Sequence, residues 1–194
     1  SPTNRVGTTH RLEAKEKFER AHEEVKKRRE EAKERVKTSR EEFKDKLETL
    51  KDERKKQTTQ NIDEKLSLMN EKWVNHFNNV LSRLSQILAK VKDKALEASG
   101  EGVDVSNVNA QVQEAEAAIT AAGDAVNAQA GKTYVIEITD EENLGENVSE
   151  AVHNLRDDLK AVREKVRLAR EATHAAVKSL KEVLKPNEES EEES

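Results

Sequence analysis

Between Gly7 and Gly100 the chain contains neither glycine nor proline. Those are the residues that most often end a helix, so their absence favours one very long helix starting near Thr9. At ~1.5 Å per residue, some 90 residues would form a rod of roughly 135 Å. Composition points the same way. Charged residues make up 39% of the chain and aromatic residues 3%. That mixture belongs to long helices and coiled coils. Hydrophobic residues reach only 34%, so the core is expected to be a narrow seam. An enzyme pocket usually asks for more apolar lining.

The two halves of the run differ. From Arg11 to Lys56, 32 of 46 residues are charged. Acid-before-base pairs recur at helical spacing: Glu13–Lys17, Glu16–Arg20, Glu23–Lys27, Glu24–Arg28, Glu31–Arg35 and Glu42–Lys46. Each such pair stabilises a helix by about 0.2–0.5 kcal/mol. The apolar stripe is thin. Phe18, Val25 and Ala32 step by seven, the pattern slips by four to Val36, and Phe43 and Leu50 resume it, with Leu47 alongside. A four-residue slip is a coiled-coil stutter. Two readings fit: a solvated helix held by its own ion pairs, or a coiled-coil strand that needs a partner.

From Ile62 the stripe strengthens. Leu66, Met69, Trp73, Phe77, Val80, Leu84, Ile87 and Val91 step by three and four, and Val74, Leu81 and Leu88 widen the stripe. A stripe this wide predicts contact with two neighbours. "SGEGVD" at 99–104 then ends the helix, with Asp104 placed as the next N-cap. An alanine-rich helix follows to about Ala130, with its seam at Val105, Val108, Val112, Ala115, Ile119, Ala122, Val126 and Gln129. In "GKTYVIEIT", Tyr134, Ile136 and Ile138 alternate with Thr133, Glu137 and Thr139, a β-like pattern with no second strand to pair with. It is expected to be an extended connector packed along the bundle; strand addition to a partner is the other reading. Thr139 and Glu142 fit a capping box. The last helix carries Leu144, Val148, Val152, Leu155, Leu159, Val162, Val166, Ala169, Thr173, Ala176, Leu180 and Leu184, and stops before Pro186.

The expected fold is all-α. A flexible lead-in occupies 1–9 and a charged, coiled-coil-like helical arm 10–61. An antiparallel three-helix bundle fills 62–185, with one short extended connector, and an acidic tail at 186–194 is expected to be disordered. The arm would overhang the bundle by about 75 Å. Trp73 would close the bundle where the arm leaves it.

Chemistry is sparse. The chain has no cysteine, which removes disulfides and thiolate sites. No apolar run reaches the ~18 residues of a membrane span. His10, His22, His76, His153 and His174 never pair at three- or four-residue spacing, so no metal site and no cofactor are expected. His76 is the exception in context, sitting in "WVNHFNNV" beside the sole tryptophan, Trp73. A partly buried histidine bonded to a neighbouring helix is the expected reading; a ligand site at Trp73 and His76 is the other. "DEENLGENVSEA" at 140–151 resembles a calcium loop only superficially, because Ala151 stands where a bidentate glutamate is required. Weak divalent binding near Asp140 stays open. Residues 1–61 carry 19 Lys and Arg against 14 Asp and Glu, a mixed surface rather than the dense basic footprint of a nucleic-acid binder.

"LMNEKWVNHFNNVLSRLSQILAKV", "GVDVSNV", "AGKTYVIEIT" and "LRDDLKAVREKVRLAREATHAAV", in that order, resemble a family of uncharacterised exported helical proteins in bacteria of the candidate phyla radiation (Patescibacteria). The resemblance covers most of residues 40–180. It implies export and a helical fold, and it implies no activity. On this reading the Ser1 start suits a cleaved signal peptide. The expectation is a non-enzymatic exported protein with a structural or interaction role at the cell envelope. The arm residues Phe18, Val25, Val36, Phe43, Leu47 and Leu50 would contact a protein partner, a second copy or an acidic envelope polymer. The alternative is a ligand- or divalent-metal-binding module near Trp73 and His76 or at the Asp140 loop.

Overall fold

A computed structural model describes residues 3–185; the side chains of residues 3–11, Arg35 and Val36 lie outside that description, as do residues 1–2 and 186–194. The expectations for Val36 and for the acidic tail therefore fall outside the described residues. The described chain is all-helical apart from its connections. It forms α1 (Thr3–Thr49), α2 (Glu53–Gly100), α3 (Ser106–Ala130) and α4 (Leu144–Val183).

The expected 90-residue rod is broken. At Leu50–Asp52 the chain turns back on itself, and α1 lies antiparallel along α2. The register is fixed by Arg40 against Asp63, Arg29 against Glu71, and His22 beside Asn78. No glycine or proline makes this break. Asp52 does, as an extended N-cap whose carboxylate accepts from the backbone N–H groups of Arg54 and Lys55. Such a cap is worth about 1 kcal/mol. The larger drive is burial. Val25, Phe43, Leu47 and Leu50 would face water on an overhanging arm; here they enter the main core. The arm is thus the fourth helix of the bundle, and α1 already begins at Thr3 within the expected lead-in.

α3 runs antiparallel to α2, tied by Lys92–Glu116 at 2.9 Å near one end and by Asn70–Gln129 near the other. The turn between them is a Schellman motif. Gly102 takes φ +89°, the Val103 N–H reaches the Ala98 carbonyl and the Gly102 N–H reaches that of Ser99. Asp104 accepts from the Ser106 N–H at 2.9 Å but sits one position too early to cap α3, whose N-cap is Val105 with no side-chain bond. α4 is antiparallel to α3, with Asn107 donating to Ser179, and hence parallel to α2. The ends of α2 and α4 meet in a second cluster that includes Leu88, Val91, Ala95, Ala176 and Leu180.

The parallel arrangement depends on the connector at 131–143. α3 stops at the level of Asn70, while α4 starts near the level of Lys55, which pairs with Glu141 at 3.6 Å. The connector covers that distance as an extended chain. Tyr134, Ile136 and Ile138 point inward and complete the core where α3 is missing. It forms no strand among the described residues, because neighbouring helices have used their backbone groups within themselves. Thr139 does not cap α4; Asp140 accepts from the Asn143 N–H at 2.7 Å and shapes the turn before it.

Candidate functional site

In cross-section α2 and α3 each pack against the other three helices. α1 covers the groove between α2 and α3. The groove between α2 and α4, on the other side, has no cover among the described residues.

The α2 contribution follows from helical spacing. Met69, Trp73, Val80 and Ile87 fall on one line of the surface at steps of four and seven. Met69 is 46% exposed and Ile87 41%, while Trp73 and Val80 are half-buried. Lys65, Lys72, His76, Arg83 and Lys90 flank this line, all exposed. On α4, Arg156, Lys160, Arg163, Arg167 and Arg170 step by four, three, four and three along the facing edge, all exposed, and Arg167 pairs with Glu164 and Glu171 of its own helix. Neither stripe contains a carboxylate over these spans. No described partner forms an ion pair with the other eight lysines and arginines of the two stripes. Elsewhere on the surface bases are commonly paired, as in Arg28–Glu24 at 3.0 Å and Lys33–Glu30 at 3.2 Å.

The groove holds a cleft of about 180 Å³. Met69, Trp73, Phe77 and Leu159 form its apolar floor and walls, and Arg156, Lys160 and Arg163 form its rim. The Trp73 indole lies tilted over Phe77, with ring centroids 5.4 Å apart, and meets His76 edge-on at 5.5 Å. The structure therefore brings Trp73 and His76 together but corrects their roles. His76 is exposed rather than half-buried, and its contact is with Trp73, not with a neighbouring helix. Trp73 lies on the α2/α4 face, away from the turn where α1 joins α2. The expected contact residues of α1 are corrected too: Val25, Phe43, Leu47 and Leu50 are buried in this chain's own core, and Phe18 is half-buried beside His22.

The buried polar groups serve the fold. Gln129 Nε2 donates to Asn70 Oδ1 and to Tyr134 Oη, which donates to Asp158 Oδ2 at 2.6 Å; Lys132 pairs with the other oxygen of Asp158 at 2.7 Å. Burial, and then the hydrogen bond to Asp158, push the Tyr134 phenol well above its ordinary pKa. Burial alone would raise Asp158, but the Lys132 and Tyr134 hydrogen bonds outweigh it and hold the carboxyl below its usual range. Asp63 is 2% exposed and Oδ1 lacks a hydrogen bond. Burial raises it, opposed by Arg40, which bonds Oδ2 at 2.8 Å, and by the Ile136 backbone. Beside these groups, a second cleft of about 100 Å³ between α1, α2 and the connector presents Arg29, Lys33, Arg40 and Lys132. Each is already paired within the chain. At the Asp140 loop both carboxylate oxygens are taken by Asn143. No group of three or more candidate metal ligands occurs among the described residues. No described helix is long and apolar enough to cross a membrane.

Arg156, Lys160 and Arg163 were missed by the sequence reading although their signal is visible. In "RDDLKAVREKVRLAR" the bases repeat one position after the core residues Leu155, Leu159 and Val162, with no acid in the same stripe. No family model, no curated protein and no solved structure matches this chain.

Proposed function

We propose that this chain is a non-enzymatic, exported helical protein that works by holding a partner at the cell envelope, with the α2/α4 groove as its contact surface. The observation that carries this reading is the groove itself: an open apolar line flanked on both sides by cations that, Arg167 apart, have no ion pair among the described residues, with no carboxylate in either stripe. A surface built only for solubility mixes charges of both signs, as α1 does. The reading replaces contact through the arm, since that seam is occupied within the chain. Export and the envelope location rest on the family resemblance of the sequence.

The test is retention on isolated bacterial envelopes, comparing the intact protein with a Lys160→Glu/Arg163→Glu variant. Retention of the variant is expected to fall about tenfold at low salt, because rim charges set encounter and register. Equal retention of both proteins would remove the groove as the contact surface. A second reading, a small ligand in the Trp73 cleft, draws on the Trp73–His76–Phe77 ring cluster.

A further inference from the structure

Taking the α2/α4 groove as the contact surface, we infer that its occupant is an acidic amphipathic α-helix of about 20 residues lying along α2. The length comes from the apolar line. Met69 to Ile87 spans 19 residues of α2, or roughly 27 Å of groove, which a helix of that size matches. The shape comes from the neighbouring groove, where α1 lies along α2 with an apolar seam in the middle and ion pairs at the edges. The α2/α4 groove repeats that plan with one component missing. Its floor is apolar and recessed, with Phe77 and Leu159 buried beneath Met69 and Trp73.

The charge comes from the two rims. On the α1 side the pairing acids, Asp63 and Glu71, belong to α2 and the bases to α1. On the α4 side both rims are basic and, Arg167 apart, unpaired among the described residues, so the occupant supplies the acids. An extended polyanion would satisfy the rims and leave the apolar floor wet. A flat anionic membrane would meet the rims before it reached the recessed floor. Only an occupant with an apolar face between two acidic edges matches floor and rims together.

Trp73 is the sole tryptophan, so its fluorescence reports on the cleft directly. The intact protein is titrated with a synthetic 21-residue peptide of three heptads, leucine at the two core positions and glutamate at the flanking ones. Parallel titrations use a scrambled peptide of the same composition, polyglutamate, and phosphatidylglycerol vesicles. The heptad peptide is expected to shift Trp73 emission to the blue with one-to-one saturation. It should bind about tenfold more tightly than the scrambled peptide or polyglutamate, and weaken as salt screens the rims. Lys160→Glu/Arg163→Glu should weaken it about tenfold, whereas Lys26→Glu/Lys165→Glu, an equal charge change away from the groove, should not.

Equal binding of scrambled peptide or polyglutamate, or a vesicle response exceeding that of the heptad peptide, overturns the helix while leaving the groove as the contact surface. No groove-dependent response to any of the four overturns the helix. If envelope retention is also indifferent to the charge reversal, the contact surface falls with it.

Discussion

The two grooves beside α2 are built from the same parts and have opposite fates. On one side, Val25, Phe43 and Leu47 from α1 are buried, and Arg29 and Arg40 reach across to Glu71 and Asp63. On the other side, Met69 and Ile87 stay exposed and Arg156, Lys160 and Arg163 meet no acid among the described residues. The first groove is filled because the chain reverses at Asp52 and brings its own complement. The second has bases on both rims, so no nearby segment of like sign can settle there. Similar apolar spacing therefore yields a core in one place and a surface in the other, and the arrangement of charge distinguishes them.

The sharpest way to break this comparison is to truncate apolar side chains in both grooves. Phe43→Ala should cost about 3–5 kcal/mol, because it removes buried contacts and leaves a cavity. Met69→Ala should cost under about 1 kcal/mol, as an exposed substitution. Urea denaturation followed by helical circular dichroism reads both. Similar costs would mean that the α2/α4 face is buried in solution.

Charge is the next lever. Arg40→Ala leaves the buried Asp63 carboxylate without its counter-charge and should destabilise by about 3 kcal/mol. Lys160→Glu/Arg163→Glu should stay within about 0.5 kcal/mol of the parent, since neither base has a partner to lose. A large loss from the reversal would show that the rim cations already hold something in place.

Tyr134 tests the filled side by pH. Its folded pKa is raised by burial and by Asp158, so above the unfolded value of about 10 the unfolded state releases the proton first. Stability is thus lost as pH rises past that point. Tyr134 is the only tyrosine, so tyrosinate absorbance should appear together with loss of helical signal and not before it. A normal phenol titration in the folded protein would contradict the Gln129–Tyr134–Asp158 chain.

Asp63 gives the smallest effect. Its folded pKa is raised, so its contribution is most favourable below the unfolded carboxylate value and declines as pH rises through the folded one. Asp63→Asn removes that decline. The stability of the variant relative to the parent should therefore improve from about pH 4 toward neutrality, whatever the offset at the start. A flat difference would show that Arg40 fully offsets the burial.

Much of the bundle was legible in the sequence. The seams of α3 and α4 could be read residue by residue, because a three-and-four spacing on an amphipathic helix leaves little choice of buried face. Val108, Val112, Ala122, Leu155, Val162 and Ala169 are all buried as their spacing required. The alternation of Tyr134, Ile136 and Ile138 also reads directly as inward and outward positions. The break at Asp52 was less visible, since an aspartate among dozens of charged residues has no local mark as a cap. The candidate site was legible only in part. Trp73 and His76 stood out by residue type, but Arg156, Lys160 and Arg163 are ordinary surface bases until α4 is set beside α2.

The sequence by itself determined the helices, their buried faces and the scarcity of reactive groups, because periodicity and residue type act locally. Tertiary structure alone decided that the charged arm is a packed helix and that two basic stripes far apart in sequence border one apolar groove. Those outcomes depend on which distant faces meet, and a helical period does not encode that.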